Sequence, residues 1–347
     1  MTIVLIIIFC ILSIIALKEP YKERSIYKKH YVLFIIWILL VLVAMFRPNS
    51  MPDYENYYNY FVYGYFERGE FGFKAYVDFF RYITSEPVHL FAIVALLSVG
   101  IKLLYINEYS DAFWLSILVY VSCYFILHDL IQIRAAIASG VLLWATKYIY
   151  EKKILKFLLC ACIAFSFHYS SLVILPLYFL SIRRIHKAFY FLIIPFSYLF
   201  VSIGITLGHL VEYIPINAIQ NLWSMYQIAM RNNISSEINI FNVLQLLRCG
   251  MCYFLLFHID VISKYNRMAV LWVKMYAISI ASLVLLSDVP VMSFRISELY
   301  QIVEILLIPT IILIPSYRKL GKYIIWIYCC CLFYVNLSSI HQFMLNA

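Results

Sequence analysis

Apolar runs near twenty residues recur along the whole chain, at about 2–17, 31–46, 87–106, 112–127, 131–149, 154–181, 188–204, 239–262, 268–287, 297–315 and 322–340. Short polar connections separate most of them. Backbone polar groups inside a bilayer must be satisfied within the chain, so runs of this kind predict membrane-crossing helices. The pattern predicts an all-α polytopic integral membrane protein. It would form a single transmembrane domain over 1–347, with about ten full transmembrane helices and outward (periplasmic) loops at 47–86 and 205–237. The first run, Thr2 to Leu17, has no basic n-region and no small-residue cleavage site, and reads as a retained helix.

Loop charge orients the helices. Lys18, Lys22, Arg24, Lys28 and Lys29 make the first loop cytoplasmic by the positive-inside rule. Loop 47–86 carries more acid than base and falls outside. The run 154–181 is long for one crossing and has basic clusters at both ends, Lys152/Lys153/Lys156 and Arg183/Arg184/Lys187. A single crossing would put the second cluster outside, and Lys264/Arg267 and Arg318/Lys319/Lys322 with it. A re-entrant helical hairpin turning at Ser166–Ser171 keeps every basic loop cytoplasmic; a single long tilted helix is the alternative.

Composition sharpens the class. The 347 residues are 65% hydrophobic and 13% charged, so the net charge of +9 marks loops that set orientation and not a nucleic-acid surface. The nine cysteines lie within apolar runs, where a small apolar side chain is a sufficient role. The 31 tyrosines and 26 phenylalanines suit aromatic belts at the two interfaces. No internal repeat, nucleotide-binding glycine motif, nucleophile elbow or metal-ligand spacing of histidines is present. Asp53-Tyr54-Glu55 alone carries a weak divalent-cation signal. No metal and no cofactor is expected.

Arg47, Arg134, Arg248 and Arg295 sit in or at the outer ends of apolar segments. A guanidinium at the centre of a bilayer costs ~2.5–3.5 kcal/mol on insertion scales, so several of them need a reason. A buried anion is one, and for a membrane enzyme a lipid-linked diphosphate is the obvious anion. The charge count places Arg47, Arg134, the Arg295/Glu298 pair and His168 at one outward level. Arg134, Arg295 and Arg47 are the diphosphate-binding candidates. Each residue also has a plainer role. Arg295 and Glu298 are i,i+3 and can neutralise one another. Arg248 can snorkel, and His168 can be a hydrogen-bonded core histidine. The aromatic stretch Tyr54, Tyr57, Tyr58, Phe61 and Tyr65, followed by 71–83, fits an interfacial amphipathic helix or a platform for sugar rings. Helix ends explain Asp260; Glu304 has no account at this level.

Several segments together resemble one family. Phe46-Arg47-Pro48 with Asp53-Tyr54-Glu55-Asn56-Tyr57-Tyr58, then Glu70-Phe71-Gly72-Phe73, Ile131-Gln132-Ile133-Arg134-Ala135-Ala136-Ile137-Ala138, Ala164-Phe165-Ser166-Phe167-His168-Tyr169-Ser170-Ser171-Leu172 and Phe294-Arg295-Ile296 resemble, in order, motifs of the EpsG/Wzy family of bacterial polysaccharide polymerases. Ala135 stands where that family often has glutamine, so that side chain's role does not transfer. The resemblance implies an enzyme of the inner (cytoplasmic) membrane with its site facing the periplasm. It would join glycan repeat units carried on undecaprenyl diphosphate into O-antigen or capsule polysaccharide, and the general base that this reaction implies would be His168, Asp53 or Glu298, with His168 favoured by its place at the hairpin tip. Membrane lipid and the lipid-linked glycans are its implied partners, nucleic acid is not one, and a chain-length regulator protein is a candidate. A flippase for the same lipid-linked sugars and an O-antigen-ligase-like transferase are the competing functions. The first should show repeated halves, and the second a large late periplasmic loop.

Overall fold

A computed structural model describes residues 1–18, 30–64, 70–182, 184–208, 224, 228 and 238–346. Among these the chain is helical, with no strand. It divides into two compact units, one of Met1–Phe179, Lys264–Asn266 and Glu304–Ala347, the other of Leu180–Ser263 and Arg267–Val303. Most of the 205–237 loop, Arg183 and most of the first basic loop lie outside the described residues.

The first unit contains α1 (Thr2–Lys18), α2 (His30–Met45), α3 (Tyr54–Tyr63), α4 (Phe71–Ile83), α5 (Pro87–Tyr109), α6 (Phe113–Val119, running on as a π-helix over Tyr120–Ile131), α7 (Ile133–Tyr150) and α8 (Ile154–Phe167). A 3₁₀ segment (Tyr169–Phe179) follows α8, and the unit is completed by α13 (Glu304–Leu307) and α14 (Leu320–Asn346). The second unit holds α9 (Lys187–Ser202), α10 (Val243–Tyr265), α11 (Ala269–Leu285) and α12 (Pro290–Gln301).

Five helical stretches are long and apolar enough to cross a membrane: Pro87–Tyr109, Phe113–Ile131, Val243–Tyr265, Pro290–Leu313 and Leu320–Ile340. Shorter apolar helices, α1, α2, α8, α9 and α11 among them, run 10–17 residues. At ~1.5 Å per residue these fall short of a ~30 Å hydrocarbon core, which separates the five from the ten expected. The outer surface is apolar even so. On α1, Ile3, Ile7, Ile11 and Ile14 are exposed, while Leu5, Ile8, Leu12 and Ala16 are buried on the other face. An apolar stripe of that length is costly in water at ~25 cal/mol per Å² and costs nothing against lipid tails.

The centre of the first unit is α6. The gap between the apolar runs 112–127 and 131–149 predicts a break at 128–130; instead helix continues to Ile131 with π geometry and breaks only at Gln132. π-helix is rare and needs outside support. Here side chains from other elements hold it. Asp129 accepts from Lys102 Nζ at 2.7 Å, Ser98 Oγ at 2.5 Å and its own helix's Tyr120 hydroxyl at 2.8 Å, all fully or nearly fully buried. Tyr124 donates to Glu304 at 2.7 Å, and Tyr328 of α14 donates to the same carboxylate. Asn336 donates to the Ser122 carbonyl at 3.2 Å. Glu304 thus receives the account the sequence did not supply.

After α8 the chain doubles back. Lys152, just before α8, donates to the Tyr178 carbonyl at 3.1 Å, and the Phe157 and Tyr178 rings lie 5.0 Å apart. Both ends of the 154–179 segment are therefore together, and His168, with extended backbone, forms the bend. In the second unit, buried Lys274 of α11 donates to the carbonyls of Ser181 and Arg184, and Lys187 pairs with Asp260 at 2.5 Å. Ser293 donates to the Leu283 carbonyl at 2.7 Å and ties α12 to α11.

Candidate active site

Glu70 lies immediately before α4 and has extended backbone, with no side-chain bond to the helix it precedes. α4 is amphipathic: Phe73 and Val77 are buried, whereas Phe71, Lys74 and Asp78 are exposed. Its first turn sits hard against the end of α8. A Cβ on Gly72 would meet Ser166 Oγ at 2.6 Å and the Ser166 carbonyl at 2.8 Å. Only glycine allows that approach, and the approach delivers the Glu70 carboxylate to the hairpin tip.

Two basic groups meet there. Arg134, in the first turn of α7, donates Nη1 to Glu70 Oε2 at 2.7 Å. His168 Nδ1 faces Glu70 Oε1 at 3.4 Å, an ion-pair distance slightly beyond a normal N–H···O bond. Arg134 is the most open of the three, its side chain 20% exposed against 7% for Glu70 and 6% for His168. The Arg134 guanidinium also lies 5.9 Å from the ring centre of Tyr57 on α3, and Tyr57 meets Phe73 edge-on at 5.9 Å. Four segments remote in sequence, α3, the start of α4, the start of α7 and the end of α8, therefore build one cluster. Burial pushes the Glu70 carboxyl up, but the contact with His168 and the charge of Arg134 more than offset this and hold it at about 2.

Other sequence candidates are placed differently. Arg47 is 5% exposed and spends its donors on backbone: Nε on the Ala44 carbonyl at 2.9 Å, Nη1 on Leu130 at 2.7 Å and Nη2 on Asp129 at 3.1 Å. It also stacks on Phe91 at 4.4 Å. Arg47 thereby caps the carbonyl end of the π-helix, where a cation is favoured. Asp53 is exposed, in left-handed backbone that a short polar residue tolerates, and accepts from Asn56 at 3.3 Å; Glu55 is exposed beside it. Arg248, Arg295 and Glu298 belong to the second unit, half-buried on α10 and α12. Among the described residues no group of three or more His, Cys, Asp or Glu side chains is arranged to hold a metal.

Sequence reasoning passed over Glu70 as a site residue and did not single out Lys102. Each carried a signal. Glu70 is an acid in the Glu70-Phe71-Gly72-Phe73 segment, and Lys102 is a cation inside an apolar run.

A helical chain with apolar exposed helix faces and a largely buried Arg–Glu–His cluster where the ends of several helices meet has the features of a polytopic membrane protein. The model of the EpsG family matches residues 29–346, nearly the whole chain. The protein belongs to the EpsG family, and is thus a polysaccharide-polymerase-like membrane protein. No curated protein and no solved structure matches it significantly.

Proposed function

We propose that the protein joins undecaprenyl-diphosphate-linked oligosaccharide repeat units into O-antigen or capsule polysaccharide at the periplasmic face of the inner membrane. The observation that carries this reading is the meeting of Arg134 and His168 on one carboxylate. It brings an anion-binding fork and a candidate base within reach of one substrate.

The chemistry follows from those groups. An acceptor hydroxyl oxygen forms a bond to the anomeric carbon of the donor glycan as the bond from that carbon to the diphosphate oxygen breaks. The electron pair leaves with the lipid diphosphate, whose growing charge suits a planar guanidinium. The hydroxyl proton passes to the imidazole of His168 and from there to solvent or the departing diphosphate. The sugar carbon passes through an oxocarbenium-like state. The donor carries its own activation, so neither a nucleotide nor an ion gradient is required. Tyr54 and Tyr58, stacked at 6.3 Å on α3, offer ring faces of the kind sugars pack against. The reading takes 154–179 as a re-entrant hairpin with His168 outward, and about ten crossings in all, with helices shorter than the bilayer accommodated by local thinning.

Reconstitution tests it. Purified protein with lipid-linked repeat units, in detergent and without a gradient or metal, should yield polymer ladders. Demonstrably folded protein that leaves only single units would overturn the reading. In cells, a polymerase deletion leaves surface glycans one repeat long. A flippase deletion leaves none at the surface, and a ligase deletion leaves long polymer on the carrier lipid.

A further inference from the structure

We propose that Glu70 is a positioning residue that couples capture of the donor's diphosphate by Arg134 to activation of His168 as the base, an inference that rests on the polymerase reading above.

The geometry is that of one carboxylate serving two cations. Oε2 takes the Arg134 guanidinium at 2.7 Å, and Oε1 stands 3.4 Å from His168 Nδ1. The first contact is a charge-assisted hydrogen bond and the second is longer, so Glu70 leans towards arginine. A diphosphate seeks the same guanidinium and carries more charge than a carboxylate. As it takes the fork, it competes with Glu70 Oε2 and leaves the carboxylate's charge to His168. A carboxylate at Nδ1 holds that nitrogen protonated, makes Nε2 the basic atom and stabilises the imidazolium that forms. The base is then strongest when the leaving group is in place, and a site without its donor is less able to deprotonate hydroxyls.

Three features of the surroundings fit this role. Glu70 makes no side-chain cap of α4, and its carboxylate meets both Arg134 and His168. The close seat of Gly72 on Ser166 fixes the backbone on both sides of the contact. Other titratable groups flank the cluster. Tyr57 faces Arg134 from α3, and Tyr76 of α4 meets Phe167 ring to ring at 6.2 Å. Lys74, Asp78 and Arg81 of α4 are exposed, with Arg81 near Asp78 at 3.9 Å. Glu70 is a carboxylate in contact with His168, and Arg134 a cation on that carboxylate.

The test compares wild type, Glu70→Gln and Glu70→Asp as full-length protein reconstituted with lipid-linked repeat units, with inorganic pyrophosphate as competitor. Glu70→Gln keeps an acceptor for Arg134 but removes the charge. It should lower kcat by about 10–100-fold, the worth of one charge-assisted contact. It should also lower the donor KM and the inhibition constant of pyrophosphate, because the guanidinium no longer has an anion to give up. The acidic limb of the kcat–pH profile should move to lower pH, and Glu70→Asp, which keeps the charge at a greater distance, should restore it in part. A lowered kcat with unchanged pyrophosphate affinity and an unmoved pH limb means a merely structural role and overturns the proposal.

A second measurement needs no turnover and stands even if Glu70→Gln fails to fold. The pH dependence of His168 carbethoxylation in wild-type protein, read at that residue by mass spectrometry, should shift upward when pyrophosphate is added. Glu70→Asp should shift less, since its shorter carboxylate sits farther from Nδ1. No shift in the wild type, or an equal one in Glu70→Asp, overturns the coupling. A wild-type protein that shows the shift but makes no polymer would sink the polymerase reading and leave the coupling standing.

Discussion

Gly72 and Ser166 lie so close that a Cβ on the glycine would fall 2.6 Å from the serine hydroxyl and 2.8 Å from its backbone carbonyl. This contact sets the distance between the Glu70 loop and the His168 bend. Gly72→Ala gains helix propensity of up to ~1 kcal/mol but forces the two segments apart, at a cost of ~1–3 kcal/mol for overpacking. The expected outcome is a folded protein with most of its polymerising activity lost. Gly250→Ala on α10, where nothing lies within 4 Å of the added carbon, is the control and should leave thermal stability equal or higher. Equal activity of the two variants, measured at matched folded protein, would show that the α4–α8 contact does not position the site.

Lys102 and Asp129 form an ion pair with both side chains fully buried. Breaking such a pair strands a charge and typically costs ~3–5 kcal/mol, whereas replacing both partners is often neutral. Lys102→Met alone should therefore lower the melting temperature in detergent sharply or prevent accumulation. The double variant Lys102→Met with Asp129→Asn should recover much of the loss. A single variant as stable as wild type would show that the π-helix does not depend on this pair.

Arg47 and Arg134 should fail differently. Arg47 donates to three backbone carbonyls, so Arg47→Lys should cost stability, on the order of 2 kcal/mol, more than turnover per folded molecule. Arg134→Lys replaces a planar fork by a point charge and should slow turnover by ~10²–10³ with little change in melting temperature. Arg295→Lys tests separately whether the second unit supplies a diphosphate ligand. Full turnover of Arg134→Lys would reduce that arginine to a structural partner of Glu70.

Glu70 makes acid stability testable. Its folded carboxyl titrates at about 2, below the ordinary 4.5. Folding therefore favours the ionised form. That contribution is whole above pH 4.5 and is lost as pH falls from 4.5 towards 2. The melting-temperature gap between wild type and Glu70→Gln should be fully present at about pH 5 and close as pH falls from 4.5 towards 2. A gap that widens below pH 4.5 would contradict the pairing with Arg134 and His168.

Topology has a direct test in labelling of single cysteines at positions 150 and 186 in a cysteine-free background. The bond from Lys152 to the Tyr178 carbonyl brings the two ends of the hairpin together, so both positions should label from the cytoplasm. Periplasmic labelling at 186 alone would require 154–181 to cross the membrane.

The apolar runs foretold most helices of both units because lipid exposure is written into composition: a residue facing hydrocarbon must be apolar whatever its neighbours are. Charge at both ends of 154–181 foretold the doubling back at His168 for a similar reason, since each cluster carries its own preference for one side. The Arg134 and His168 candidates came from the sequence as well, because a cation or a histidine beside an apolar run needs a partner.

Which partner was a matter of three-dimensional proximity. Arg47 and Arg134 look alike in the chain, yet one caps carbonyls at the end of the π-helix and the other meets Glu70 across 64 positions. The π-helix itself was invisible to periodicity, because contacts from α5, α13 and α14 hold it and not its own side-chain spacing. Glu70 gained its meaning only when Gly72 let α4 close on α8. Burial and pairing energies depend on distances between segments that are remote in sequence. Local pattern therefore determined where apolar helices form, and tertiary packing decided which charges face one another.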